Sequence, residues 1–199
     1  MKWFTLDTQS VIAGANGEVQ DCPHIDDLVQ LARAGEIGLA LASAFEVDQQ
    51  TASAAQHQTN RHYLRRIPVL RVPGPVRFSS DAGPFFPFFG GPDVFADDEM
   101  SEADKLITDI LLGDSNRDEA GRRMIDVHHL AAHLLSGNDV FVTRDKHMVR
   151  ATRRNRLRSE LGIVVAEPPE AVGIAGTLGQ SANAPSEMRV REEERRAEP

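Results

Sequence analysis

Four acidic residues stand where apolar segments of this chain begin or end. Asp7 follows the run Lys2 to Leu6, and Glu46 follows the run Ile37 to Ala42 by one helical turn. Asp126 precedes an apolar helical pattern, and Asp145 comes just after the run Val140 to Thr143. Singly, each has a local explanation. Asp7 and Asp126 fit helix N-caps, Glu46 completes a Ser43-x-x-Glu46 capping box, and Asp145 fits a turn. If they converge, the chemistry changes. Carboxylates without cationic partners repel one another and raise their own pKa values, and a divalent cation removes that cost. An all-oxygen set of this kind suits Mg²⁺ or Mn²⁺.

The elements between these acids decide whether they converge. Lys2 to Leu6, Ile37 to Ala42, Ile67 to Val72, Val140 to Thr143 and Gly162 to Ala166 read as short apolar strands. Helical spacing over His24 to Ala34, the polar stretch after Ser43, Ser101 to Leu112, and His147 to Leu161 places helices between them. Ser101 is read as the cap of its helix, and Asp126 as opening a helix that carries Val127, Leu130, Ala131, Leu134 and Leu135 on one face. Gly113 to Gly121 reads as a turn, and Gly137-Asn138 as the stop of the late helix. Strands that are apolar throughout and alternate with helices predict an α/β fold of three layers, α/β/α, around a central, mainly parallel sheet. In such sheets the functional crevice lies beyond the carboxyl ends of the strands, where Asp7, Glu46 and Asp145 then fall.

The motifs FTLDTQ, ALASAFE, DVHHLAA and FVTRDKH, with Asp7, Glu46, Asp126 and Thr143/Asp145, occur in that order along the chain. The sequence resembles the PIN domain family on these motifs and on the closing GIVVAEPPE, over residues 1–170. Two departures stand out: Gln9 lies where the family often has Asn, and a Phe-, Pro- and Gly-rich stretch at 73–98 lengthens the chain. The resemblance implies a metal-dependent endoribonuclease that hydrolyses the phosphodiester bonds of single-stranded RNA. The implied catalytic set is Asp7, Glu46, Asp126 and Asp145 as ligands of Mg²⁺ or Mn²⁺, with Thr143 as the hydroxyl that orients Asp145 or a water. A metal so held lowers the pKa of a bound water and steadies the charge that builds on the phosphate. The alternative is a non-catalytic PIN-like module that binds RNA or protein.

Bulk properties limit the partners. The 199 residues carry a formal net charge of −8, too acidic to hold nucleic acid by overall charge. The local run Arg144, Lys146, Arg150, Arg153 and Arg154 offers an RNA-binding patch beside Asp145, or else a solvated face paired with acids. A single cysteine, Cys22, excludes an intrachain disulfide, and no apolar window is long enough for a membrane span, so a cytoplasmic protein is expected. A homodimer and a cognate antitoxin-like protein complete the expected partners. The 73–98 stretch is read as an insertion with a packing or partner role, and 171–199 as a disordered tail.

Rival chemistries are weaker. Asp7-Thr8-Gln9 lacks the Asp-x-Asp of haloacid-dehalogenase phosphohydrolases. His129 and His133 have zinc-ligand spacing, but the glutamate of a His-Glu-x-x-His metalloprotease is absent. His128, His129 and His133 are therefore expected on the surface, or one of them at the phosphate or the metal's outer shell. The acids between Asp97 and Asp109 read as a solvated helix start.

Overall fold

The computed structural model describes residues 1–18, 20–50, 52–76, 94–95, 98–113 and 117–182. In chain order these form β1 (Lys2–Leu6), α1 (Thr8–Asn16), α2 (Cys22–Arg33), β2 (Ile37–Ala42), α3 (Ala44–Gln50) and α4 (Ala54–Leu64). There follow β3 (Val69–Val72), β4 (Pro75–Val76), β5 (Val94–Phe95), α5 (Asp98–Leu112) and α6 (Arg117–Leu135). The last elements are β6 (Val140–Val142), α7 (Ala151–Leu161), β7 (Val164–Ala166) and α8 (Pro168–Ala182).

Five strands build the main sheet in the order β3-β2-β1-β6-β7, and every neighbouring pair is parallel. The expected three-layer α/β/α architecture is present. Alternation along each strand assigns the layers. Phe4, Leu6, Leu39, Leu41, Val140 and Val142 pack against α1, α2 and α8 through Val11, Leu28, Val29, Ala171 and Ala175. Phe141 and Val165 point the other way, onto α5, α6 and α7 through Ile107, Leu111, Val127, Leu130 and Leu157. Both faces are covered, which is why the strands read as unbroken apolar runs rather than alternating ones.

Close to the centre of the second face, small residues take over. Ala40 and Ala42 of β2 meet Ala132 of α6, with Trp3 at the margin. Gly38 pairs in register with Trp3, and a Cβ on Gly38 would overlap the indole ring. Gly38→Ala is therefore expected to cost about 1–3 kcal/mol through overpacking. Trp3 is the one tryptophan in the sequence, so a red-shifted emission in the folded variant would report its displacement directly.

The structure departs from the sequence reading at several helix ends. α6 begins at Arg117, so Asp126 sits in mid-helix and does not open it. Residues 117–121 carry helix-compatible Arg, Asp, Glu and Ala, and the glycine at 121 is tolerated once α6 packs on α5. Likewise α5 starts at Asp98, so Ser101 lies inside the helix rather than capping it. Pro168 and Pro169 do not close the fold: they start α8, where their fixed φ and missing N–H cost nothing. α8 runs to Ala182 and buries Ala171 and Ala175, so structure extends past the expected boundary at 171. Alanines made this core contact hard to read as hydrophobic pattern. Gly137, at φ 62°, ends α6 as expected, its N–H donating to Leu134 O at 2.9 Å.

Within 73–98, the described residues include β4 and β5, a separate parallel pair. The role expected of the Phe-rich stretch otherwise lies outside the described residues, as does that of the tail at 183–199. Among the described residues, no helix is long and apolar enough to cross a membrane.

Candidate active site

Three strand ends are stitched to their neighbours at the carboxyl edge. The Asp7 N–H donates to Val142 O (3.0 Å), the Thr143 N–H to Ala166 O (3.0 Å), and the Ser43 N–H to Val72 O (3.1 Å). These bonds extend the ladder just past each strand and fix where the next side chain emerges.

Asp7 is 3 % exposed and has both carboxylate oxygens engaged. Oδ1 accepts the Ser10 N–H at 2.7 Å and so caps α1, while Oδ2 accepts the Thr143 hydroxyl. Cap and site are thus the same residue in two roles. Burial pushes its pKa up against the opposing hydrogen bonds from Thr143 and Ser10 and the charge of His129. Thr143 also accepts the Asp145 N–H at 3.0 Å. Its hydroxyl therefore aims the Asp7 carboxylate and the Asp145 backbone, whereas Asp145 Oδ1 is turned to the His147 N–H at 2.7 Å.

α6 brings the remaining groups. Asp126, His129 and His133 recur at helical spacing and form a polar stripe on a helix that is otherwise apolar toward the sheet. His133 is buried against β1, with Nδ1 2.8 Å from Thr5 Oγ1 and its ring edge-on to Phe141 at 5.6 Å. Burial lowers its pKa to about 4, which keeps it neutral. His129 Nε2 lies 3.0 Å from Asp48 Oδ2 and 3.2 Å from Thr8 Oγ1, and Thr8 also donates to Asp48. Burial of His129 favours the neutral ring, but the Asp48 hydrogen bond and the charges of Asp48, Asp7 and Asp126 outweigh it and raise the pKa. Its Nδ1 is buried with no hydrogen-bond partner among the described residues. His128 is buried too, beside Ser43 and Gly74. The expectation of surface histidines is therefore corrected: all three are 7 % exposed or less.

One turn up the stripe, Asp126 feels its neighbours most. Burial, then the charge of Asp145, with smaller contributions from Asp7 and Asp48, pushes its pKa to about 7; His129 alone pulls the other way. Asp7, Asp48, Asp126 and His129 line a cleft of about 350 Å³, together with Thr8, Gln9, Gln49 and Gln56.

Glu46 is placed elsewhere. Its carboxylate pairs with Arg71 of β3 at 3.0 Å and is half-exposed. Asp48 enters the cleft instead, and the sequence reading missed it. Residues two apart on a helix point to nearly opposite sides. Phe45 and Gln49 are buried, and Asp48 shares their side of α3 whereas Glu46 does not. The i, i+3, i+4 relation of Phe45, Asp48 and Gln49 was the available signal. The capping-box pattern outweighed it, although Ser43 Oγ is 3.5 Å from His128 Nε2 rather than bonded at the helix start.

The basic run is partly spent on acids. Arg144 bridges Glu18 (2.7 Å) and Asp21 (2.6 Å), and Arg154 pairs with Glu170 (2.9 Å). Arg153 donates to Ile110 O at 3.2 Å and lies 3.0 Å from His147 Nδ1. Lys146 and Arg150 are exposed. Arg156, further along α7, pairs with Asp109, one of the acids between Asp97 and Asp109.

For a divalent cation, the donor chemistry fits: Asp7, Asp126 and Asp145 are oxygen donors, and Asp126 is raised by burial first and then by the charge of Asp145, with smaller contributions from Asp7 and Asp48. The donors are not drawn together. Among the described residues, no group of three or more His, Cys, Asp or Glu side chains is arranged to hold a metal ion. No protein-family model matches the chain, and neither does any curated protein.

Proposed function

We propose that this chain is a PIN-like, metal-dependent endoribonuclease acting on single-stranded RNA, with Asp7, Asp126 and Asp145 as its metal-holding carboxylates. The observation that carries this reading is the cleft at the sheet edge, lined by Asp7, Asp48 and Asp126, where burial first and the charge of nearby Asp145 next push Asp126 to about 7. Mg²⁺ or Mn²⁺ bound there would supply a water of lowered pKa and a counter-charge for the phosphate. The chain's own residues do the rest. The Thr143 hydroxyl holds the Asp7 carboxylate in one orientation, and the Asp48–His129 pair sets a second polar wall. Exposed Lys146 and Arg150 are the members of the basic run left to meet a phosphate backbone. Glu46 has no part in holding the metal on this reading, since Arg71 already neutralises it. A cytoplasmic setting, a homodimer and a cognate antitoxin-like partner belong to the same proposal.

A second reading has an observation of its own. The separation of the donors favours a non-catalytic PIN-like module that binds RNA or protein. One experiment separates the two. End-labelled single-stranded RNA is incubated with Mn²⁺ and wild type, Asp7→Asn, Asp126→Asn or Asp145→Asn. The nuclease reading expects cleavage by wild type and a loss of more than about a hundredfold in each variant, since losing even an outer partner of a metal ligand costs ~10–100-fold. No cleavage by wild type, or equal cleavage by all four, removes the catalytic assignment.

A further inference from the structure

Beside its carboxylates the cleft has a set of amides. Gln9, Gln49 and Gln56 line it, with Ile12 and Ala52 as apolar neighbours. The amides are held by a relay running away from the cleft. Asn60, fully buried, donates through Nδ2 to Gln49 Oε1 at 2.9 Å. Its Oδ1 accepts Gln56 Nε2 at 2.8 Å, and Gln56 Nε2 donates again to Asn16 Oδ1 at 3.2 Å. An amide nitrogen has two hydrogens, so Gln56 has none left to give. Gln49 is different. Its oxygen is taken by Asn60, so its nitrogen is the end that remains, and no described residue accepts from it. Gln49, 5 % exposed, thus brings to the cleft an amide whose N–H groups no described residue accepts.

Resting on the reading that RNA occupies this cleft, we propose that Gln49 is the specificity-determining residue of a nucleobase subsite next to the carboxylates. With its oxygen taken by Asn60, the Gln49 amide presents its N–H groups, so the subsite takes a base that presents a carbonyl. Uracil fits best, because it has a carbonyl on both sides of N3. Adenine has none and leaves the Gln49 N–H groups without an acceptor. Single-stranded RNA is suited to such reading because its bases can be splayed out and met on their edges. Ile12 and Ala52 offer apolar contact for the ring. The volume, about 350 Å³, lies at the small end of the ~300–1,000 Å³ typical of small-ligand clefts, enough for a base but not for a duplex.

The test is equilibrium binding of fluorescent octamers of uridylate and adenylate to the full chain, without divalent metal. Wild type is expected to bind the uridylate octamer on the order of tenfold more tightly, the difference one unmade buried hydrogen bond produces. Gln49→Glu keeps the bond from Asn60 but turns an acceptor toward the cleft. It weakens both octamers through charge, and it is expected to invert the ratio in favour of adenylate, whose amino group can donate. Gln49→Met is expected to bring the ratio to about one. Melting curves establish that each variant is folded, and the wild-type ratio needs no variant at all. Equal binding of the two octamers by wild type, or an unchanged ratio in a folded Gln49→Glu, overturns the proposal. The outcome is separable from the nuclease reading. Selective binding without cleavage keeps the subsite and removes the hydrolysis; cleavage with indifferent binding does the reverse.

Discussion

Asp126→Asn is expected to raise the melting temperature of the metal-free protein at pH 8 and to abolish its stabilisation by Mn²⁺. Asp126 has a folded pKa of about 7 against an ordinary 3.8, because it is buried and faces Asp145 first among its charged neighbours. A carboxylate whose pKa is higher in the folded state contributes stability that is fully present below about 3.8 and is lost as pH rises through about 7. Above that window the wild type carries the cost of an unneutralised charge, and asparagine does not. The full shift converts to roughly 4 kcal/mol, which partial exposure and solvent screening reduce to about 1–3 kcal/mol. In a chain of this size that is about 3–10 °C. The advantage of the variant should shrink toward zero as pH falls to about 4. Adding Mn²⁺ at a hundred times its dissociation constant should stabilise wild type by about 2.7 kcal/mol and the variant hardly at all, so the two melting curves cross. A variant that melts below wild type at pH 8, or that gains as much from Mn²⁺, contradicts the electrostatic account of the cleft.

The second large effect is expected at Thr143, a fully buried side chain that touches no solvent. Its hydroxyl donates to Asp7 and accepts the Asp145 N–H, so Thr143→Val removes both bonds at nearly constant volume. A buried carboxylate is then left one donor short and a backbone N–H loses its acceptor, which together should cost about 2–4 kcal/mol, or ~5–12 °C. Thr143→Ser retains the hydroxyl and is expected to recover most of the loss. On the nuclease reading the valine variant also loses about 10–100-fold in cleavage, through the freed Asp7 carboxylate. A Thr143→Val protein that melts within a degree of wild type would show that this hydroxyl does not hold the site together.

The strands and their parallel order were legible because the inner strands are largely apolar on both faces, a pattern that a doubly covered sheet requires and a half-exposed one does not; edge strand β3, with Arg71 and an exposed Leu70, carries it least. Asp7, Thr143 and Asp145 were legible for the same reason: a residue that follows a parallel strand falls at the carboxyl edge whatever its rotamer. What failed depended on rotation about helices. Glu46 and Asp48 are two residues apart on α3, and only the burial of Phe45 and Gln49 tells which of them turns inward. His129 and His133 looked like surface residues because histidine is compatible with either environment. Thr5, Thr8 and Asp48, which bond one nitrogen of each ring, are far from them in sequence. The start of α6 was hidden by Gly121, and the contribution of α8 by the small size of Ala171 and Ala175. The ion pairs that occupy Arg144 and Arg154 were likewise out of reach, since their acids come from α8 and from the connection between α1 and α2.

The central claim is that Asp7, Asp126 and Asp145 hold one divalent cation at the edge of the sheet. Crystals soaked in Mn²⁺ and measured for anomalous scattering test it most directly. The expected result is a peak in the cleft, roughly 2.0–2.3 Å from carboxylate oxygens of Asp126 and at least one of the other two, absent in Asp126→Asn crystals. A peak at Glu46 or Asp109 with the cleft empty, or the same cleft peak in the Asp126→Asn protein, would contradict it.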